Sequence, residues 1–320
     1  MPALPKPKFT FTYDPKSEIQ ALRKWRDEKA GRAIPAKAAD RLLVATWNIA
    51  NLGAQERRKE DFALMAEIIT WFDLAAVQEV KDDRNGLDQL MAALPQSWRC
   101  LFSDAAGNDE RMTFLYDSAK VRTRELVGEI AISPGDLKNV KLSAETIGTF
   151  QGFDRNPYIA SFEAGSTVFC LVNGHLYYGD DNDPAALQRR ALEAFAVARW
   201  CEHESKSKNA FTKFIAAMGD FNLPKADPAD PIFKALTKTG LQLPAHSTQI
   251  GSNLEGDMHY DQVAFFPTGA GSKFTGQSGV FDFDGAVFAE LWKTKTEAQF
   301  RSYIRYYLSD HRPLWAEFKI

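Results

Sequence analysis

The chain has 320 residues, 45% of them hydrophobic, which is enough to bury a large core and leaves one or two domains open. Its formal net charge of -3 argues against a uniformly basic protein that coats nucleic acid, but it leaves room for a local basic rim around an acidic site. Cys100, Cys170 and Cys201 are widely separated and outside any metal-ligand spacing, so no zinc site or disulfide framework is legible and a reducing, cytoplasmic setting is expected.

The first residues, MPALPKPKFTFTYDPK, carry no apolar h-region, and no stretch of the chain approaches a membrane-spanning length. Membrane partners are therefore not expected, and a monomer is. Residues 1–40 read as an N-terminal extension, with Ser17–Ala30 as a charged helix bearing Ile19, Leu22 and Trp25 on one stripe, and Ala33–Asp40 as a linker. Residues 41–320 read as one domain. Leu42–Ile49 (LLVATWNI) predicts a buried strand, Asp61–Phe72 an amphipathic helix with Asp61 at its N-cap, and Leu74–Val80 the next strand. Arg111–Tyr116, Tyr158–Glu163 and Thr167–His175 follow as strands, the last two joined by Ala164-Gly165-Ser166. Pro184–Glu202 predicts a long helix, Phe214–Gly219 a strand and Pro231–Thr239 a short helix. Asp261–Phe266 and Pro313–Lys319 close the chain as strands.

The informative polar residues sit at strand ends. Asn48 ends LLVATWN, Glu79 ends LAAVQE and His175 ends VFCLVNGH. Asp220 and Asn222 follow FIAAMG, Asp261 opens DQVAFF, and Asp310-His311 precede RPLWAEF. Strand ends of α/β folds converge on one edge, where ligand sites form. Taken singly, each has a structural reading: turn formers for the asparagines, salt-bridge partners for Glu79 and Asp261, a hydrogen-bonded core histidine for His175. Together they offer hard oxygen ligands that suit Mg²⁺, with Mn²⁺ or Ca²⁺ as substitutes, and two histidines able to serve as base and acid. Each histidine needs a carboxylate to fix its tautomer, and Asp261 and Glu110 are the candidates.

The ordered set WNIANLG (47–53), QEV (78–80), GDFN (219–222), YDQV (260–263) and SDHRP (309–313) resembles the endonuclease/exonuclease/phosphatase superfamily. ERMTFLYDSAKV (110–121), FDRNPY (153–158) and NGHLYYG (173–179) make it most like the deoxyribonuclease I branch. The resemblance implies a four-layer αββα sandwich of two mixed β-sheets flanked by helices, and a Mg²⁺-dependent phosphodiesterase, a DNA endonuclease above all. It implies Glu79 as principal metal ligand, with Asn48, Asp310 and Asp220 near the ion or the scissile phosphate. His311 would be the general base, steadied by Asp261, and His175 the general acid, steadied by Glu110. Asp220 and Asn222 would orient water or phosphate, and Arg155, with Arg111, would face phosphate or brace the site.

Two positions depart from that branch. Ala50 and Asn108 stand where it carries an arginine and a tyrosine that grip duplex DNA. A basic rim from Arg57, Arg58, Lys59, Lys81 and Arg84 could replace them, or these could be solvated surface charges. Trp47 and Tyr177-Tyr178 could stack bases or simply pack, and Ser247 or Thr248 in the polar loop 246–259 could touch substrate. A lipid or small-molecule phosphodiesterase of the sphingomyelinase kind, and a binding protein on an inactive fold, are the alternative readings.

Overall fold

The computed structural model describes residues 3–142, 149–180, 182–246 and 248–320. Among these the chain forms strands β1 (Arg41–Leu52), β2 (Leu74–Lys81), β3 (Trp98–Phe102), β4 (Glu110–Asp117), β5 (Val121–Glu129), β6 (Tyr158–Ala164), β7 (Thr167–His175), β8 (Ile215–Asp220), β9 (Asp261–Phe265), β10 (Phe274–Val280) and β11 (Leu314–Lys319). The helices are α1 (Pro15–Glu28), α2 (Lys59–Thr70), α3 (Asn85–Ala93), α4 (Pro134–Leu137), α5 (Pro184–Lys206), α6 (Pro231–Thr237), α7 (Ala270–Lys273), α8 (Ala289–Thr294) and α9 (Glu297–Tyr307). No helix among the described residues is long and apolar enough to cross a membrane.

The strands make two mixed sheets, ordered β10-β11-β1-β2-β4-β3 and β5-β6-β7-β8-β9. The β1/β2 and β7/β8 pairs are parallel and the others antiparallel. Alternation along β1 shows how the layers arise. Leu42 and Val44 enter the core between the sheets with Phe114, Phe162 and Phe169. Leu43, Ala45, Trp47 and Ile49 face the opposite way, into a core shared with Phe62, Met65 and Ile69 of α2 and with Tyr303 and Ile304 of α9. A third core lies between the second sheet and α5 and α6, around Val172, Ala194, Val197 and Leu236. Helix, sheet, sheet, helix is the four-layer α/β sandwich that the motifs imply. A strand buried on both faces needs an unbroken apolar run, and LLVATWNI is one.

Residues of the N-terminal extension pack on the core between the first sheet and helices α2 and α9. Leu22 is fully buried, and Phe9, Phe11, Tyr13, Ile19 and Trp25 lie against it. Helix α1 starts at Asp14, whose carboxylate accepts the Lys16 and Ser17 N–H groups. Helix α2 starts two residues earlier than expected. Asp61 is its third residue rather than its N-cap, and its carboxylate reaches back to the Arg58 N–H at 2.7 Å.

The second sheet brings β7, β8 and β9 to a common edge in one register row: His175 pairs with Asp220, and Asp220 with Asp261. The row just behind it pairs Gly174 with Gly219, whose φ is +142°. A Cβ on Gly219 would fall 1.9 Å from the Gly174 carbonyl oxygen, so only glycine allows this approach. The GDFN glycine thus sets the spacing of the His175 and Asp220 side chains.

Candidate active site

At the same edge of the first sheet, β1 and β2 both lose regular register, between Asn48 and Leu52 on one and between Val77 and Val80 on the other. Glu79 sits in this irregularity with φ +61°, a left-handed conformation that costs a non-glycine residue on the order of 1–3 kcal/mol and persists where surroundings enforce it. The enforcing contacts are visible. Glu79 Oε2 accepts the Asn51 N–H at 2.8 Å, and Oε1 accepts Asn48 Nδ2 at 2.9 Å. The same Nδ2 also donates to Asp220 Oδ2 at 2.9 Å, so Asn48 joins the two sheets across the site.

Around Asp220 the two histidines converge. Its Oδ2 lies 3.7 Å from His175 Nε2 and 3.7 Å from His311 Nε2. Each imidazole is backed by a carboxylate on its other nitrogen. His311 Nδ1 is 2.7 Å from Asp261 Oδ2, and His175 Nδ1 is 3.2 Å from Glu110 Oε2. Asp261 is anchored in turn by its N–H donating to Ser252 Oγ at 2.9 Å. Ser309 Oγ accepts the His311 N–H and donates to the Asn48 carbonyl at 2.6 Å, tying the SDHRP turn to β1.

Burial makes these charges strongly interdependent. Burial alone disfavours the imidazolium of His311, but the charges of Asp261, Asp220 and Asp310 outweigh it and hold the group well above its ordinary range. Asp261 itself is pushed up, by burial first. Asp220 is pulled down because the two histidines overcome its burial. Burial also works against Glu110, yet the hydrogen bond and charge of His175, with Arg155 and Lys81, bring it down to about 2.

Arg155 is 2% exposed and does not face the cleft. Its Nε and Nη2 donate to the His175 and Leu176 carbonyls at 3.0 and 2.9 Å, and Nη1 lies 3.6 Å from Glu110. Of the two expectations for this residue, phosphate contact or bracing, the geometry is that of bracing. Arg111 is turned to Asp82 and to the Ser103 carbonyl. Asn222, at φ +49°, donates Nδ2 to the Leu176 carbonyl at 2.8 Å and receives Arg190 Nη1 on its own carbonyl.

A cleft of about 480 Å³ opens over this floor, lined by Glu79, His175, Asp220, Asn222, Asp310 and His311 together with Ala50, Asn51, Tyr178 and Tyr260. The donor set suits a hard cation. Carboxylates crowd one spot, and the Asn48 Oδ1 and Asp261 Oδ1 atoms are buried without a hydrogen-bond partner. Ligand atoms of Asp220, Asp261 and His311 fall within 4.8 Å of one another, close enough for one ion.

Of the alternatives open for the grip residues, the structure takes the structural one at several positions. Arg57 is no rim residue: it is 8% exposed, and its Nη2 donates to the carbonyls of Ala50 and Leu308 at 2.7 and 2.8 Å. Arg58 is held by Asp61 and the Tyr303 hydroxyl, and Lys81 by the Asn108 carbonyl and Glu110. Trp47 packs on Phe283 and donates Nε1 to the His311 carbonyl, so it is core and not a stacking platform. Thr248 is buried and its hydroxyl accepts the Val280 N–H; Ser247 lies outside the described residues. Asn51, Ser309 and Asn173 were not singled out, although all three stand inside the quoted motifs. Asn173 donates to the carbonyls of Val77 and Thr113 and accepts from Gln78, bridging the sheets directly beneath the site.

No family model and no curated protein matches the sequence, and the likeness to known proteins is one of structure. An endonuclease/exonuclease/phosphatase family protein from Bacteroides thetaiotaomicron is similar at 17% identity and TM-score 0.57, over 87% of this chain and 94% of that one. The human nocturnin catalytic domain with bound sulfate is similar at 15% identity and TM-score 0.54, over 89% and 96% of the two chains. D. rerio TDP2 complexed with a single-strand DNA product is similar at 11% identity and TM-score 0.54, over 88% and 99%.

Proposed function

From a chain with the endonuclease/exonuclease/phosphatase fold, we propose a metal-dependent phosphodiesterase that hydrolyses nucleic acid, DNA foremost. The observation that carries this is the placement of both imidazole Nε2 atoms 3.7 Å from Asp220 Oδ2, each ring backed by its own carboxylate. Two oriented imidazoles on one cleft suit in-line hydrolysis of a phosphodiester, one to accept a proton and one to supply it.

His311 Nε2 is the base toward a water held beside Asp220, and Asp261 stabilises the imidazolium that forms. His175 gives a proton to the leaving oxygen, with Glu110 holding its Nδ1 side and Arg155 fixing the strand end that carries it. Glu79 and Asp310, with the side-chain Oδ1 of Asn48, would hold Mg²⁺. The bound ion would polarise the phosphoryl oxygens and stabilise charge as the P–O bond breaks. Asn222 and Asp220 position the water and the phosphate. Two structural neighbours carry anionic ligands, one sulfate and the other a single-strand DNA product, which supports a phosphate-bearing substrate. Cys100, Cys170 and Cys201 are free thiols, which favours a reducing, cytoplasmic setting for the enzyme.

A substrate panel tests the reading. Supercoiled plasmid, single-stranded DNA, RNA and sphingomyelin are incubated with Mg²⁺, Mn²⁺ or EDTA. Metal-dependent cleavage of DNA above the other substrates is expected. Faster turnover of sphingomyelin, or cleavage that survives EDTA, would sink it.

A further inference from the structure

Three residues of the N-terminal segment, Ala3, Leu4 and Pro5, line the catalytic cleft opposite its histidines and carboxylates. They are tied down on their C-terminal side. Downstream, Phe9 stacks on Tyr303 with ring centroids 6.0 Å apart, Phe11 meets the same ring edge-on at 5.6 Å, and Tyr13 donates its hydroxyl to Asp61 at 2.7 Å. The Phe11 carbonyl accepts Arg58 Nη1 at 2.9 Å, and Lys6 pairs with Glu56 at 2.6 Å. Leu4 itself packs on the core between the first sheet and helices α2 and α9. A strap tied at residues 6 and 9–13 is already ordered before substrate arrives, so using it as a binding surface costs little further entropy.

The strap changes what the cleft can hold. Its floor is polar and charged, but Leu4 and Pro5 give it an apolar wall, and Tyr178, 52% exposed with the Arg190 guanidinium 5.6 Å over its ring, adds a flat aromatic surface. The volume of about 480 Å³ is in the lower part of the range for small-molecule pockets, roughly 300–1,000 Å³. A phosphate on the floor would place a planar group between these surfaces. An unpaired nucleotide offers such a face, whereas a duplex keeps its base faces inside the stack.

We propose that Ala3, Leu4 and Pro5 form a specificity wall that, with Tyr178, admits single-stranded nucleic acid and disfavours an intact duplex. This rests on the phosphodiesterase reading above and narrows its substrate. Grip on the sugar-phosphate outside of a duplex would need a basic rim, and three of its five candidates are already engaged: Arg57 is buried on the Ala50 and Leu308 carbonyls, Arg58 is paired with Asp61 and Lys81 with Glu110, which leaves Lys59 and Arg84.

The test is fluorescence anisotropy of the His311→Ala protein in Mg²⁺ buffer, with a short labelled oligothymidine and with a hairpin duplex of matched length. The single strand is expected to bind about tenfold tighter, the scale of one stacked base. The double variant Leu4→Gly/Pro5→Gly, and separately Tyr178→Ala, should each bring the ratio toward one. Equal affinity for the two probes in the unaltered cleft, or a ratio that neither variant changes, would overturn the wall. Hydrolysis of bis(4-nitrophenyl) phosphate by the native enzyme separates the two failures. If that small diester is cleaved while the anisotropy ratio is one, only the wall is wrong. If it is not cleaved with any metal, the phosphodiesterase reading is wrong, and the anisotropy still decides what the strap does.

Discussion

His311 Nδ1 and Asp261 Oδ2 lie 2.7 Å apart although 50 residues separate them in the chain. The contact fixes the imidazole so that Nε2 faces the cleft, and it provides the charge that stabilises the ring once protonated. Asp261→Asn keeps the shape but offers an amide that can donate to Nδ1 and reverse the tautomer. A fall in kcat of roughly 10²- to 10⁴-fold with KM nearly unchanged is expected. Steady-state kinetics on a chromogenic phosphodiester checks this, and a loss confined to KM would place Asp261 in binding instead.

Glu110 and His175 form the second pair, 3.2 Å apart, with Glu110 drawn down to about 2 by His175 after burial is overcome. A depressed carboxyl contributes stability that is present above its unfolded pKa and lost as pH falls through the folded one. Thermal unfolding of the native protein and of Glu110→Gln should therefore differ most at neutral pH and converge as pH drops from about 4.5 toward 2. Curves that stay parallel over that window would remove the charge coupling from the account.

Much of this site was legible because its histidines and carboxylates stand at the ends of apolar strands, and the strands themselves were plain. Which face of β1 carried which core was not, since Leu42 and Leu43 look alike in sequence yet enter different layers. Eight elements were missed: β3, β5, β10, α3, α4, α7, α8 and α9. β5 (VRTRELVGE) is an edge strand with exposed charged residues, β10 (FTGQSGV) contains two glycines, and α3 opens after a left-handed Arg84 with no side-chain cap. α9 did carry a signal, the Thr296 and Gln299 capping box ahead of an amphipathic run. Arg57 was misjudged because a basic triplet reads as surface, and only the long-range carbonyls of Ala50 and Leu308 draw it inside. Nothing in Ala3-Leu4-Pro5 marks it as a wall of the cleft; that depends on where the aromatic anchors at Phe9, Phe11 and Tyr13 lead the chain.

The buried Arg57 supplies a third prediction. Burial lowers its guanidinium to about 10 against the pull of Asp61, Asp310 and Glu79, and its two carbonyl partners flank the two motif loops of the site. Arg57→Met should cost about 2–3 kcal/mol of stability, the scale of hydrogen bonds to a charged group. Chemical denaturation measures it, and an unchanged midpoint would show that the carbonyls find other donors.

Glu193 gives a prediction away from the chemistry. It is buried in α5, where burial pushes its carboxyl up to about 7 although it accepts the Tyr177 and Asp154 N–H groups. Because the folded value lies above the unfolded one, ionising it weakens the fold as pH rises from about 4.5 through 7. Glu193→Gln carries no such titration. Its thermal midpoint relative to the native protein should rise between pH 5 and pH 8, where a flat difference would mean that the carboxyl is solvated.

The central claim is that the paired imidazoles hydrolyse phosphodiesters with the help of a divalent cation. The most direct measurement is initial-rate hydrolysis of bis(4-nitrophenyl) phosphate by native protein and by His311→Ala, each stripped with EDTA and then given Mg²⁺ or Mn²⁺. Native protein should be inactive when stripped and recover with metal, and with either metal the variant should be slower by roughly 10²- to 10⁴-fold. Equal rates for the two proteins, or native activity indifferent to EDTA, would contradict it.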